Sequence, residues 1–350
     1  MNGIINILIF LIVLFLYIHI VDQLKKSEDL EIYEMDYSSN NQLQEVCNIK
    51  QPVLFEYRDV NPEFFEKTGI DNVSKNNHDV KVKDIEDYHN DTNDNVDYVV
   101  LPFQSSHNLM TSDPRGKYFT ENNQDFLEES GLFDACKEND ELLKPTLNMY
   151  SKYDICMASK NTITPLRYHT NYRHFVCVNS GKIHIKMAPW KSRKFLHPFK
   201  DYENYEFRSP INVWKPQPEY LHDMDKIKFL EFDVNAGYVL YIPPYWWYSI
   251  KYSAEPDNLV YSFTYNSVMN CVTNLPHYGL YYLQQHNIKK KIVKTLTIEN
   301  LEHIETMENL DTTKPEENPE PMDNEKRGQT HVNGESLSNP LPSPLPKPIF

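Results

Sequence analysis

Histidine, cysteine and clustered carboxylates are the residue types that hold metals or serve as nucleophiles, and this chain has 13 His and five Cys. Cys47, Cys136, Cys156, Cys177 and Cys271 are odd in number and widely scattered, with no CxxC pair and no zinc-like spacing. They are expected to be small core residues in a reducing compartment. No glycine-rich phosphate loop, GxSxG elbow or HExxH helix occurs in the chain. Most histidines read as satisfied core or surface residues, but His169, His174 and His184 sit in or beside strand-like segments, where at least one could face an interior. Tyr168, Tyr172 and Tyr248 suit a polar but metal-free pocket, and Trp246 and Trp247 are expected to pack rather than stack on a ligand.

The elements that must position these residues are mainly strands. At 350 residues, 40% hydrophobic and 24% charged, the chain has ample material for one large core. Aromatics reach 13%, with 24 Tyr, which suits sheets more than bundles. With only nine Gly, the turns must lean on Asn and Asp. Strands are expected at 51–57, 80–85, 96–102, 155–158, 175–179, 182–187, 229–234, 238–242, 247–252 and 260–265, and helices at 122–129 and 277–295. Many short strands between Asn, Pro and Asp turns predict a sandwich or barrel rather than a βαβ sheet. A formal net charge of −15 argues against nucleic acid as the main partner, because phosphate binding needs a basic face.

Both ends differ from this middle. Residues 4–21 read IINILIFLIVLFLYIHIV, interrupted only by Asn6 and His19. As a helix this run covers about 27 Å and nearly crosses a bilayer. No basic n-region or small-x-small cleavage site accompanies it, so an uncleaved anchor over 1–26 is preferred to a signal peptide. Lys25 and Lys26 follow the span and no basic residue precedes it, which places the bulk of the chain on the cytoplasmic side. The sequons Asn72-Val73-Ser74 and Asn90-Asp91-Thr92 point the other way. Residues 27–44 read as an acidic stalk, 45–300 as the domain with its C-terminal helices, and 311–350 as a disordered Pro-rich tail. The run Lys289-Lys290-Lys291 with Lys294 could touch anionic lipid, or could be an ordinary solvated face.

Two segments are specific when taken together. TPLRYHTNYRHFVCVNSGK (164–182) and FLEFDVNAGYVLYIPPYWWY (229–248) resemble the two halves of the cupin-like JmjC family, to which the asparagine hydroxylase of hypoxia-inducible factor belongs. The resemblance implies a double-stranded β-helix, or jelly roll, with flanking helices. In that family HxD on one strand and a later His hold Fe(II), leaving open positions for 2-oxoglutarate and oxygen. In the family's PPxWWH motif the His position is Tyr248 here. The HxD pair falls on Arg167 and His169, on Tyr168 and Thr170, or on His169 and Asn171, depending on the anchor used. The family's 2-oxoglutarate lysine falls on Ile183, with Lys182 one place early; the Asp of its GD turn is Tyr238, and Thr164 matches a cosubstrate position. The resemblance therefore implies a catalytically inactive relative with no metal or cofactor, its interior lined by Thr164, His174, Ile183, Trp246 and Trp247. Its partners would be the bilayer through 4–21, an unknown protein or peptide, and a second copy through 277–295, since the family's C-terminal helices dimerise. A divergent hydroxylase with a rearranged Fe(II) and 2-oxoglutarate site is the alternative, and a structural role in a membrane-bound particle is a third reading.

Overall fold

Among the described residues sixteen strands carry the architecture: β1 Tyr33–Met35, β2 Val53–Glu56, β3 Asp79–Asp84, β4 Tyr98–Pro102, β5 Tyr118–Thr120, β6 Asn148–Ala158, β7 Arg167–Tyr168, β8 Arg173–Ser180, β9 Lys182–Ala188, β10 Phe199–Asp201, β11 Glu206–Arg208, β12 Leu230–Asn235, β13 Tyr238–Tyr241, β14 Trp247–Tyr252, β15 Leu259–Ser267 and β16 Lys294–Thr295, the last pairing in parallel with β4. A computed structural model describes residues 2–89, 98–254, 257–287 and 294–295. Two facing antiparallel sheets form its centre, β13-β8-β15-β6 and β7-β14-β9-β12. The chain crosses between them at almost every step, which makes this a double-stranded β-helix. β2 and β1 extend one edge of the first sheet, and β5, β3 and β4 extend the other; β11 and β10 extend the second sheet.

The alternation of side chains along the strands produces three apolar layers. On β15, Tyr261, Phe263 and Tyr265 face outward and pack with Phe55, Phe64 and Phe175 under the N-terminal segments. Val260 on the same strand faces the barrel interior, with Val176, Ile183, Ile185, Leu240, Ile250 and Tyr252. Trp247 and Tyr168 face away from the interior and pack with Phe207 and Leu196 beneath the 189–229 insertion. Two glycines are required by their turns. Gly181, with φ +75°, joins β8 to β9 where Asn258 occupies the space of a side chain, and Gly237, with φ +95°, turns β12 into β13 against Arg58.

Nearly all the expected strands are present, but three readings need correction. The 27–44 segment is not a free stalk. β1 pairs in parallel with β2, Tyr33 opposite Val53, and helix α2 (Asn40–Cys47) begins at a Ser39 cap and buries Leu43 and Cys47. A three-residue strand is too short to show alternation, so composition alone suggested solvation. β6 starts at Asn148, well before the expected 155, because its pairing with β15 runs to Ser267. The last helix spans Leu275–Asn287 rather than 277–295; residues 288–293, the 311–350 tail and the Asn90 sequon lie outside the described residues.

At the N-terminus, α1 (Asn2–Leu24) contains a stretch, Gly3–Leu24, that is long and apolar enough to cross a membrane. Only Leu16, His19, Ile20 and Gln23 on it are shielded, at helical spacing, and α1 runs alongside the helix Val268–Thr273. Just beyond, the Lys26 ammonium sits 4.4 Å from the ring centres of both Trp190 and Tyr245. Burial, and after it the charge of Arg193, hold Lys26 below its usual pKa.

Candidate functional site

Strand register decides which residues meet at the mouth of the barrel. Arg167 on β7 lies directly opposite Tyr248 on β14. β7 is tied to that strand from its start: the Thr164 N–H donates to the Ile250 carbonyl at 2.7 Å, and the Thr164 hydroxyl accepts from the Ile250 N–H at 2.9 Å. Arg167, His169 and Tyr248 are therefore the converging set. Tyr168 points the other way, stacked on Phe207 at 5.2 Å and edge-on to Trp247 at 4.7 Å. The Thr170 carbonyl accepts from the Asn270 and Asn274 amides, and Asn171 lies beyond the strand. The outward-facing Tyr168 removes the Tyr168 and Thr170 pair.

Both terminal nitrogens of the Arg167 guanidinium are engaged in ion pairs, while its Nε has no partner. It grips Glu121 through two bonds of 2.5 and 3.0 Å and reaches Glu206 at 3.0 Å. The Lys83 ammonium bonds the same Glu121 at 2.8 Å and the Tyr88 hydroxyl at 3.2 Å. Two cations and two carboxylates thus form a shielded tetrad, joined through Glu206 to a further buried pair of opposite charges, Arg208 and Asp201, with Arg208 3.8 Å from Glu206. Burial would raise the Glu121 carboxyl, but Arg167 and Lys83 outweigh it and hold it far below the usual carboxylate range. Burial likewise opposes the Lys83 charge, and Glu121 with Tyr88 and Glu206 overcomes it, so Lys83 stays protonated.

Beside the tetrad two half-buried histidines face each other with ring centres 4.8 Å apart. The His169 Nε2 donates to the Ile242 carbonyl at 3.0 Å, and His174 Nδ1 bonds the Thr264 hydroxyl at 3.0 Å. Burial pushes His169 down to about 3; it depresses His174 too, with help from His169 and Arg167. Both rings are neutral at pH 7. Tyr248, 6.1 Å from each ring centre, is held in its protonated form chiefly by burial.

This donor set does not fit Fe(II). A facial triad needs two imidazoles and a carboxylate. Arg167 offers no lone pair and Tyr248 stays a phenol; the His169 Nδ1 is left without a partner, but no unpaired carboxylate stands beside it to complete a triad. Among the described residues no three of His, Cys, Asp and Glu gather as a metal cluster. The 2-oxoglutarate side does not fit either. Ile183 is buried in the interior, while Lys182 faces outward and pairs with Asp233. His184 is on that outer face as well, also bound to Asp233.

Of the residues expected to line a pocket, Thr164 is spent on the sheet and Trp246 fills the interior, its indole N–H donating to the Lys50 carbonyl at 3.2 Å. Trp247 is a correction: as the first residue of β14 it takes the face opposite Tyr248 and packs outside the barrel. Glu121, Lys83 and Glu206 were not foreseen. They come from the β5 exit, β3 and β11, and only the presence of an arginine at an inward position hinted that a carboxylate must meet it.

Comparison with known proteins agrees with this architecture. The model for the cupin-like domain matches residues 20–271. The chain belongs to the cupin-like domain family. JmjC domain-containing protein D of Dictyostelium discoideum is 30% identical over 95 residues, which is 27% of this chain and 21% of that relative. The chain thus matches about a fifth of that relative's length, so the likeness covers one region and not a whole shared protein. The five cysteines of the domain are all free.

Proposed function

We propose that this cupin-like protein is a membrane-anchored binding module that does not carry out Fe(II)/2-oxoglutarate chemistry. The observation that carries the reading is Arg167, a permanent cation bonded to Glu121 and Glu206 at the position where the family pattern places the first metal ligand. A second cation is repelled there, and the carboxylates that could attract one are already neutralised. With the interior closed by side chains, a ligand is expected to be a protein or peptide docking outside the barrel. The anchor is α1, supported by its length and by the exposure of residues 4–15. Lys25 and Lys26 favour a cytoplasmic-facing domain.

The test is metal analysis of the purified full chain together with succinate release from 2-oxoglutarate. We expect neither stoichiometric iron nor succinate. The closeness of His169 and His174 favours one competing reading, a site rebuilt around those two rings. Succinate made by the wild-type chain and abolished by His169→Ala would establish that reading and remove ours. Resistance of the chain to carbonate extraction tests the anchor, and full release would remove it.

A further inference from the structure

Outside α1 most of the exposed large apolar residues gather at one edge, with Tyr33, Ile49, Phe199 and Leu221 scattered elsewhere. Leu147, 80% exposed, gives its carbonyl to the N–H of Val268, and Met149 follows it on β6. Val268 opens the helix Val268–Thr273, which passes through Asn274 into the helix Leu275–Asn287. In that last helix His277, Tyr278 and Tyr281 turn one face onto Tyr202 and Tyr205. Leu275, Leu280 and Leu283 are left exposed on the other side, Leu283 at 61%. The chain around them is uncharged: no Asp, Glu, Lys or Arg occurs from 258 to 288, although 24% of all residues are charged. Residues 259–267 of that run belong to the buried strand β15, but the 21 residues from 268 to 288 would still be expected to carry about five charges at the chain's own average.

The edge adjoins α1, and the length of α1 sets its depth. The part of α1 that is free of the domain, residues 4–15, is 12 residues long. As a helix that is about 18 Å, too short for a hydrocarbon core of about 30 Å. A spanning α1 must therefore use Leu16, Ile20 and the turns around them, whose shielded stripe faces the domain near Val268–Thr273. Whatever protein surface lies against those turns shares their depth.

We propose that the outer face of the helix Leu275–Asn287, with Val268 and the 147–149 turn, lies in the headgroup–acyl interface of the bilayer that α1 crosses. This rests on the anchor reading of α1. It takes the bilayer rather than a second copy as the occupant of this face, because the uncharged run is continuous with the anchor.

The experiment uses the full chain in phosphatidylcholine vesicles with and without brominated acyl chains. Leu283→Trp and Leu147→Trp are compared with Asn235→Trp, an exposed position at the opposite end of the barrel, after subtraction of the wild-type emission. The first two variants are expected to lose most of their added emission in brominated lipid, and Asn235→Trp to keep it. Equal emission from Leu283→Trp and Asn235→Trp in a carbonate-resistant chain overturns this proposal and leaves the anchor standing. If such a chain also sediments as a dimer that Leu283→Glu dissolves, a second copy owns the face. Quenching in a chain that carbonate releases keeps the lipid contact and removes the anchor instead.

Discussion

Towards the Gly181 turn the barrel interior is filled by Val178, Ile183, Ile185, Tyr252 and Val260, a set held together by burial alone. Around β7 the same two sheets enclose Arg167, Glu121, His169, His174 and Tyr248, where every stabilising contact depends on a partner of matching charge or hydrogen-bonding type. Truncating a residue of the apolar half leaves a cavity whose cost scales with its size. Truncating one member of the ionic half leaves the others charged and shielded, so its cost is set by the survivors. The difference teaches that this half is built to be neutral as a set. That is a different design from a metal site, whose protein ligands carry excess negative charge for the ion to balance.

The largest expected effect is therefore on the ionic side. Glu121→Ala strands Lys83 and Arg167 together and should destabilise the domain by about 3–5 kcal/mol in denaturant unfolding. Coupling it to the loss of its main partner should soften the damage, so Glu121→Gln with Arg167→Met is expected to be more stable than Glu121→Ala. On the apolar side Ile185→Ala should cost about 3 kcal/mol through its cavity. If Glu121→Ala proves milder than Ile185→Ala, the two halves are not different in kind and the comparison collapses.

Acid separates the halves in a graded way. His169 is depressed to about 3 by burial and His174 is also depressed, whereas an unfolded histidine titrates near 6.5. Between those values the unfolded chain binds more protons, so stability is complete above about pH 6.5 and falls as pH drops. Each histidine should contribute a slope of up to about 1.4 kcal/mol per pH unit through that window. Glu121, whose folded carboxyl is also depressed, adds a loss below about pH 4.5 with the same sign. Burial also depresses His89 and His277, so unfolding midpoints measured from pH 7 to 5 should show the slope, and His174→Gln should remove one histidine's share of it. A wild-type midpoint that does not move over this range would mean that the two rings are not held neutral.

How much of this was legible in the sequence follows from the range of each signal. β8, β9, β13 and β14 announce themselves by alternation over four or more residues, and the PPYWW turn places Tyr248 without ambiguity. β7 is two residues long, so its register could not be read from its own residues and was settled only by Arg167 meeting Tyr248 across the ladder. Trp247 was misassigned to the pocket because its neighbour Trp246 does reach the interior, from the turn just before β14 begins. The tetrad was invisible, since Glu121 lies 46 residues from Arg167 and no local pattern links a carboxylate in a turn to a guanidinium on a later strand. Contacts of that kind are set by the closure of the barrel.

The smallest expected effect is the sharpest test of the ionic half. Tyr248→His supplies the missing imidazole at the position opposite Arg167, next to His169 and His174. If the domain lacked only that ligand, the variant should take up Fe(II) and begin to release succinate. The neighbouring atoms argue otherwise. Arg167 would still direct a fixed positive charge at the site, Glu121 and Glu206 would still be bound to Arg167, and no free carboxylate would complete a triad. Tyr248→His is therefore expected to bind no more iron than the wild type and to show no turnover. Because Tyr248 is nearly buried, the exchange should lower stability modestly. Iron uptake by Tyr248→His in metal analysis would show that the guanidinium is no barrier to the metal. Adding Arg167→Met to that variant removes the charge without supplying an imidazole: uptake only in the double variant would assign the block to the guanidinium itself.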